Sequence, residues 1–337
     1  MVTPLTEPRN RAYPKIELHV HFEGTMRAET ILRLARRHGV ELAAETPQEL
    51  ARLLQFQNFD DFIAAFLVVT GVLLHEDDFR EIVVEYAGEA AGHGALYIEG
   101  IFSPAQAVQR GVSWDAVFSG YCDGIEEARE RHGVEVRLTP DITRSFSLEI
   151  AEETTRYAIA YRDRGVVGLG LGGYEAEFPP EPFARVFELA HDAGLGSVPH
   201  AGEVAGPESV RGAIEALKAD RIRHGLAAVE DESLLRELVD RGIVLDVCLT
   251  SNVLTGVVRS LDEHPLPRLL EAGVQCSIST DDPAFFNTDL TRELEVARSL
   301  GLHPRDAFAA ALAGALCDQE TRDRLRAAGD AFDWETL

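Results

Sequence analysis

The sequence has almost no lysine: Lys15 and Lys218 are its only two, so the 32 cationic side chains are nearly all arginines. Positive charge is scarce altogether, because 57 carboxylates leave a formal net charge of -25. A surface of that sign repels phosphate backbones and anionic lipid, which argues against nucleic acid and membrane as partners. Cysteine is sparse as well. Cys122, Cys248, Cys276 and Cys317 lie far apart and form no CxxC pair. They read as buried thiols in a reducing compartment rather than a disulfide framework or a zinc knuckle. Long apolar runs are missing; the longest, from Phe62 to Leu74, is too short to span a bilayer. The opening stretch MVTPLTEPRNRAYPK lacks the apolar centre of a secretory signal. These absences predict a cytoplasmic protein, and no pattern signals a protein partner.

What is present is apolar material for a large core, 45% of 337 residues, in a length natural for one α/β barrel. Short β-branched or alternating runs alternate with helical patterns along the chain. The spacing predicts strands over Ile16–His19, Leu96–Phe102, Glu135–Thr139, Val166–Leu171, Gly196–His200, Arg221–His224, Val244–Leu249 and Gln275–Thr280. Helices are expected between them, among others over Phe79–Gly92, Trp114–His132, Leu148–Arg164, Pro182–Ala193, Glu208–Lys218 and Glu232–Arg241. Eight strands with intervening helices predict a parallel (β/α)8 barrel, a single domain over residues 1–337. The first connection is far longer than the others. It carries its own helical patterns over Ala28–His38, Pro47–Leu54 and Phe59–Leu74, so residues 26–78 read as a helical insertion suited to a lid.

Most histidines have a bland explanation. His38, His93 and His132 each precede a glycine at the expected end of a helix, and His191 in HDAG is similar. An imidazole there meets unpaired carbonyls and the negative end of the helix dipole. His75, His264 and His303 fall in loops and suggest no chemistry. Four others fall at strand ends. His19 and His21 form HVH, where residues i and i+2 of a strand share a face. His200 ends the fifth strand, His224 the sixth, and STDDP places Asp281 and Asp282 after the eighth. Barrel enzymes carry their chemistry on that rim. Three imidazoles and a carboxylate suit zinc, since neutral nitrogen and hard oxygen match a borderline cation. The bland alternative is a set of polar residues satisfied at loop starts.

KIELHVHFEGT (Lys15–Thr25), HAGE (His200–Glu203), RIRHG (Arg221–Gly225), LTSN (Leu249–Asn252) and STDDPAFF (Ser279–Phe286) together resemble the adenosine deaminase family of amidohydrolase barrels. The resemblance runs in order from about residue 14 to 290. It implies one zinc ion per chain, held by His19, His21, His200 and Asp281, with a water completing the site. It implies that His224 holds and deprotonates that water with Asp281, and that Glu203 shuttles a proton to purine N1. Asp282 would pair with N7 and the Gly173 backbone N–H with N3, with His21 also facing the substrate. Glu23 stands where adenosine deaminases usually carry an aspartate for the ribose 5′-hydroxyl.

Other departures are Gly172-Gly173-Tyr174-Glu175 in place of the Asp-Ser-Ser-Glu of the adenine branch, Ser279 for an asparagine, and Arg223 for a glycine or aspartate. Binuclear amidohydrolases commonly bridge two metals with a carboxylated lysine after the fourth strand. Lys15 and Lys218 fall elsewhere, so one metal is expected. The implied reaction is hydrolytic deamination of a 6-aminopurine nucleoside, most simply adenosine to inosine and ammonia. Free adenine is one alternative. Another is 6-amino-6-deoxyfutalosine, whose 5′-extended benzoate would favour an arginine such as Arg27 or Arg144 near the rim. From another class, a catalytically dead purine or metal binder would have no use for Glu203 and His224 beside a full ligand set. Deaminases of polynucleotides use an HxE and PCxxC pattern that is absent here.

Overall fold

The structure, a computed structural model, describes residues 13–337. Most of the N-terminal stretch judged above, residues 1–12, lies outside the described residues. Nine strand segments form: β1 (Lys15–His21), β2 (Ala95–Phe102), β3 (Glu135–Thr143), β4 (Gly168–Gly172), β5 (Gly196–Ser197), β6 (His200–Ala201), β7 (Arg221–His224), β8 (Val244–Val247) and β9 (Cys276–Ile278). All pair in parallel, in the orders β1-β2-β3-β4-β5 and β6-β7-β8-β9. β5 and β6 are one extended strand interrupted at Pro199, which has no N–H for the ladder. The ladder nevertheless continues through it, from Val198 N to Leu169 O at 2.9 Å and from Arg223 N to Pro199 O at 3.0 Å. The eighth strand meets the first through a parallel bridge between Val20 and Asp281. The result is the expected (β/α)8 barrel.

Helices follow the strands. The long first connection holds α1 (Ala28–His38), α2 (Pro47–Leu53) and α3 (Phe59–Thr70) before α4 (Glu76–Gly92) returns the chain to β2. Side chains start two of these helices. Thr46 and Glu49 form a reciprocal capping box on α2, and Asn58 accepts from Asp61 N at the start of α3. Several expected boundaries move, and two of them bear on the rim. The eighth-strand neighbour β8 stops at Val247, because Leu249 already opens the helix Leu249–Leu254. β3 runs to Thr143 instead of stopping at Thr139, so Pro140 and Asp141 are strand residues paired with Phe102 and Gly170.

The barrel interior is more polar than the usual stack of branched aliphatics. Arg221 is fully buried, donating to Asp246 Oδ2 at 2.5 Å and Glu99 Oε2 at 2.8 Å. Nearer the rim Arg223 pairs with Asp141 and donates to Thr139 Oγ1 at 2.7 Å. The glycines of β4 make the room. A Cβ on Gly170 would collide with Asp141 and with the Arg223 guanidinium, and one on Gly172 would press on Asp141 Oδ2.

Candidate active site

The strand ends converge at the barrel mouth. His19 and His21 share one face of β1, His200 opens β6, His224 ends β7, and Asp281 follows β9. His224 and Asp281 both sit in the left-handed region at φ 64°, a conformation that costs a residue other than glycine of the order of 1–3 kcal/mol. Surrounding structure imposes it: His21 N donates to Asp281 O at 2.8 Å and Asp281 N to His19 O at 3.0 Å.

Four ligand-type atoms meet there. His21 Nε2 lies 3.2 Å from His200 Nε2, and Asp281 Oδ1 lies 3.3 Å from His19 Nε2 and 3.4 Å from His21 Nε2. A tetrahedron with metal–ligand bonds of about 2.0–2.1 Å has edges of about 3.3–3.4 Å. His19 Nε2 is buried with no hydrogen-bond partner. At His200 the backbone fixes the tautomer: Nδ1 donates to Leu171 O at 3.0 Å, leaving the Nε2 lone pair for a cation. Asp281 is steadied through its other oxygen by Ser251 Oγ at 2.6 Å, and His19 Nδ1 faces the buried Cys248 thiol at 3.5 Å. The donor set therefore fits a tetrahedral cation of the zinc type, and its residues are the four the sequence singled out. Burial holds His19 well below the usual imidazole range and His21 down at about 4, so both are neutral as metal coordination requires, and it holds the neighbouring His224 down at about 3.

Further titratable groups stand around this cluster. Glu203 Oε2 is 3.6 Å from His224 Nε2. Burial first, then the charges of Asp281 and Glu175, push the Glu203 carboxyl well above the usual range. Burial and the adjoining Asp281 do the same to Asp282, whose Oδ1 has no hydrogen-bond partner. Asp281 goes the other way: burial opposes its ionisation, but the imidazoles of His19, His224 and His21 outweigh it. Gly24 of the HFEGT run is needed here, because any Cβ would collide with the Asp282 carboxylate.

A cavity opens over these groups, with His21, Gly173, His200, Glu203, His224, Asp281 and Asp282 on its wall. α3 supplies Phe59, Phe62, Ile63 and Phe66 on the other side. Phe62 and Phe66 pack with Phe286 in an aromatic cluster separate from the main core. Glu23 does not line the cavity; it is buried and its Oε1 accepts from Ser103 N at 2.8 Å. Neither arginine considered for a substrate carboxylate is on the wall. Arg27 pairs with Glu89, and Arg144 is buried, donating to Phe178 O and His200 O at 2.6 Å each.

Several residues at the site had no role in the sequence reading. Asp141 lies 3.3 Å from His200 Nδ1; burial alone would raise its pKa, but Arg223 and His200 hold it low. Glu175 accepts from four consecutive backbone amides, Gly202 to Ala205, at 2.5 to 3.1 Å, clamping the turn that carries Glu203. The LTSN motif was quoted above without assigning Ser251 or Asn252. Its signal was the motif itself.

The sequence model of the adenosine deaminase family matches residues 14–330. An aminodeoxyfutalosine deaminase from Acidothermus cellulolyticus is 49% identical over 342 residues, covering 99% of this chain and 96% of that protein. The crystal structure of an adenine deaminase from Arthrobacter aurescens is similar with a TM-score of 0.91 and 29% identity, over 97% of this chain and 100% of that one. An amidohydrolase from Burkholderia ambifaria with bound zinc gives a TM-score of 0.90 at 26% identity, covering 99% and 94%.

Proposed function

The chain belongs to the adenosine deaminase family, and from that premise we propose that it hydrolyses the 6-amino group of a purine whose N9 substituent extends beyond a simple ribose, as in aminodeoxyfutalosine. We infer one zinc ion per chain at His19, His21, His200 and Asp281. That ion would supply a water acidified from a pKa of about 15.7 toward 7.

The chain's own residues do the rest. Glu203, kept protonated by burial, offers its proton to purine N1, which makes C6 the electrophile. Asp282, also raised, can donate to N7, an acceptor. The Gly173 backbone N–H, on the cavity wall, would donate to N3, and His224 would orient the attacking water beside Asp281. The proton that the attacking water gives to Asp281 passes to the 6-amino group, which departs as ammonia while the C6 hydroxyl proton returns to Glu203, leaving the 6-oxopurine.

One observation carries the choice of substrate. The carboxylate aligned with the ribose 5′-hydroxyl partner, Glu23, is taken up by Ser103 N and lies off the cavity, whereas the accessible wall is the aromatic face of α3. An aromatic extension gains from that wall; a free 5′-hydroxyl has no carboxylate to meet. The aminodeoxyfutalosine deaminase at 49% identity supports the same reading. Ammonia release should be measured from aminodeoxyfutalosine, adenosine and adenine side by side. The extended nucleoside is expected to exceed adenosine at least tenfold in kcat/KM, about 1.4 kcal/mol of transition-state preference. The highest value on adenosine would overturn the proposal. The highest value on adenine would favour a second reading, a closed pocket for the free base, to which the Arthrobacter aurescens likeness points.

A further inference from the structure

His264 lies in a loop, 40 residues beyond His224 in the sequence, yet the two imidazoles are joined by a buried chain of hydrogen bonds through Asn252. Leu266 N donates to His264 Nδ1 at 3.0 Å. His264 Nε2 lies 3.3 Å from Asn252 Oδ1, and Asn252 Nδ2 lies 3.2 Å from His224 Nδ1. All three side chains are buried, Asn252 completely.

The backbone amide sets the direction of every bond in this chain. An N–H can only donate, so His264 Nδ1 is the acceptor and the ring of neutral His264 carries its proton on Nε2. That proton goes to an oxygen, which fixes the Asn252 amide with Oδ1 toward His264 and Nδ2 toward His224. The Asn252 N–H in turn makes His224 Nδ1 an acceptor, and neutral His224 is left with its proton on Nε2. This is the nitrogen 3.6 Å from Glu203 Oε2, at the reaction centre.

We propose that Asn252 and His264 are positioning residues that hold His224 in its Nε2–H tautomer, so that His224 meets the attacking oxygen as a hydrogen-bond donor and not as a base. The proposal corrects two expectations. His264 is not an idle loop histidine, and the water's proton passes to the Asp281 carboxylate in place of the His224 ring. It rests on the deaminase reading for its kinetic consequence, but the tautomer can be observed without turnover.

The experiment is ¹⁵N NMR of ring-labelled, metal-analysed protein together with kinetics of His264→Leu, Asn252→Leu and His264→Gln on whichever 6-aminopurine the wild type turns over best. His224 is expected to show a proton-bearing Nε2 and an unprotonated Nδ1 in the wild type. The two leucine variants should keep their metal and KM within about twofold, lose about 10- to 100-fold in kcat, and give mixed His224 tautomers. His264→Gln, which restores an N–H donor for Asn252, should recover kcat to within about threefold of wild type. A His224 proton on Nδ1 in the wild type would overturn the proposal, and so would leucine variants with unchanged kcat and tautomer. If a leucine variant fails to fold, the wild-type tautomer and the glutamine variant decide. Absence of turnover by the wild type with the expected tautomer present would sink the deaminase reading and leave the relay standing.

Discussion

A carboxyl group that is to give up a proton near neutral pH needs a reason to have kept it. At Glu203 the reason is burial beside the charges of Asp281 and Glu175. The sign of the pH dependence follows. The acid form is populated below the raised pKa and disappears as pH climbs through it, so kcat/KM should fall on an alkaline limb belonging to Glu203. Glu203→Gln should retain the proposed metal ion, lose about 10²- to 10⁴-fold in kcat, and show a residual rate without that limb. His19→Ala should lose the metal as well, because it removes a ligand nitrogen rather than a proton. Elemental analysis beside the rate profile checks both, and a near-normal Glu203→Gln would remove the residue from the reaction. These residues were legible in the sequence because each is a chemically distinctive type at a strand end, within a run such as HVH or HAGE. Asn252 and His264 were not. Their partners are remote in sequence, and the role of each arises only from the orientation of the next.

At the scale of elements, the rim depends on how closely strands approach inside the barrel. Gly170 and Gly172 of the β4 run GLGLG face the Arg223–Asp141 pair, and Asp141 stands behind His200, a proposed ligand. Gly170→Ala would drive a methyl into both ionic side chains, which must shift. Overpacking of this kind costs about 1–3 kcal/mol. The expected outcome is a lower Tm by calorimetry together with weaker zinc retention; an unchanged Tm would mean that the pair yields freely. The sequence located eight strand positions by periodicity but ended β3 at Thr139, since a proline next in line reads as a breaker. A strand at the barrel rim tolerates Pro140, and this is why Asp141 was missed. In the sequence Arg223 stands out only as a departure from the family, because its partner Asp141 reads as a loop residue.

For the whole molecule, the governing quantity is the excess of 57 acidic over 32 basic side chains. Local pairs such as Arg33 with Glu85 and Arg37 with Glu81 on the α1–α4 face weaken with added salt, whereas the repulsion among surplus carboxylates is relieved by it. The surplus is the larger population. Raising ionic strength from about 0.01 M to about 0.15 M shortens the screening length from about 30 Å to about 8 Å. Tm should rise by about 1–3 °C over that change, a shift of the size produced by about 0.7–2 kcal/mol in a chain of this length. A falling Tm would show that the paired arginines dominate. Among the described residues no helix is long and apolar enough to cross a membrane, as the short apolar runs implied.

The seam between the first and last barrel strands has one more consequence. His19 and His21 stand on one side of it and Asp281 on the other, some 260 residues away along the chain, joined by only two backbone bonds, His21 N to Asp281 O and Asp281 N to His19 O. An ion held by both sides, as proposed, would be a clasp on the ring as well as a reagent. Chelation should therefore be felt first as local breathing there. The amides of His21 and Asp281 should exchange with deuterated solvent faster in the stripped protein, while those of β2 and β3 keep their protection, and returning zinc should slow them again.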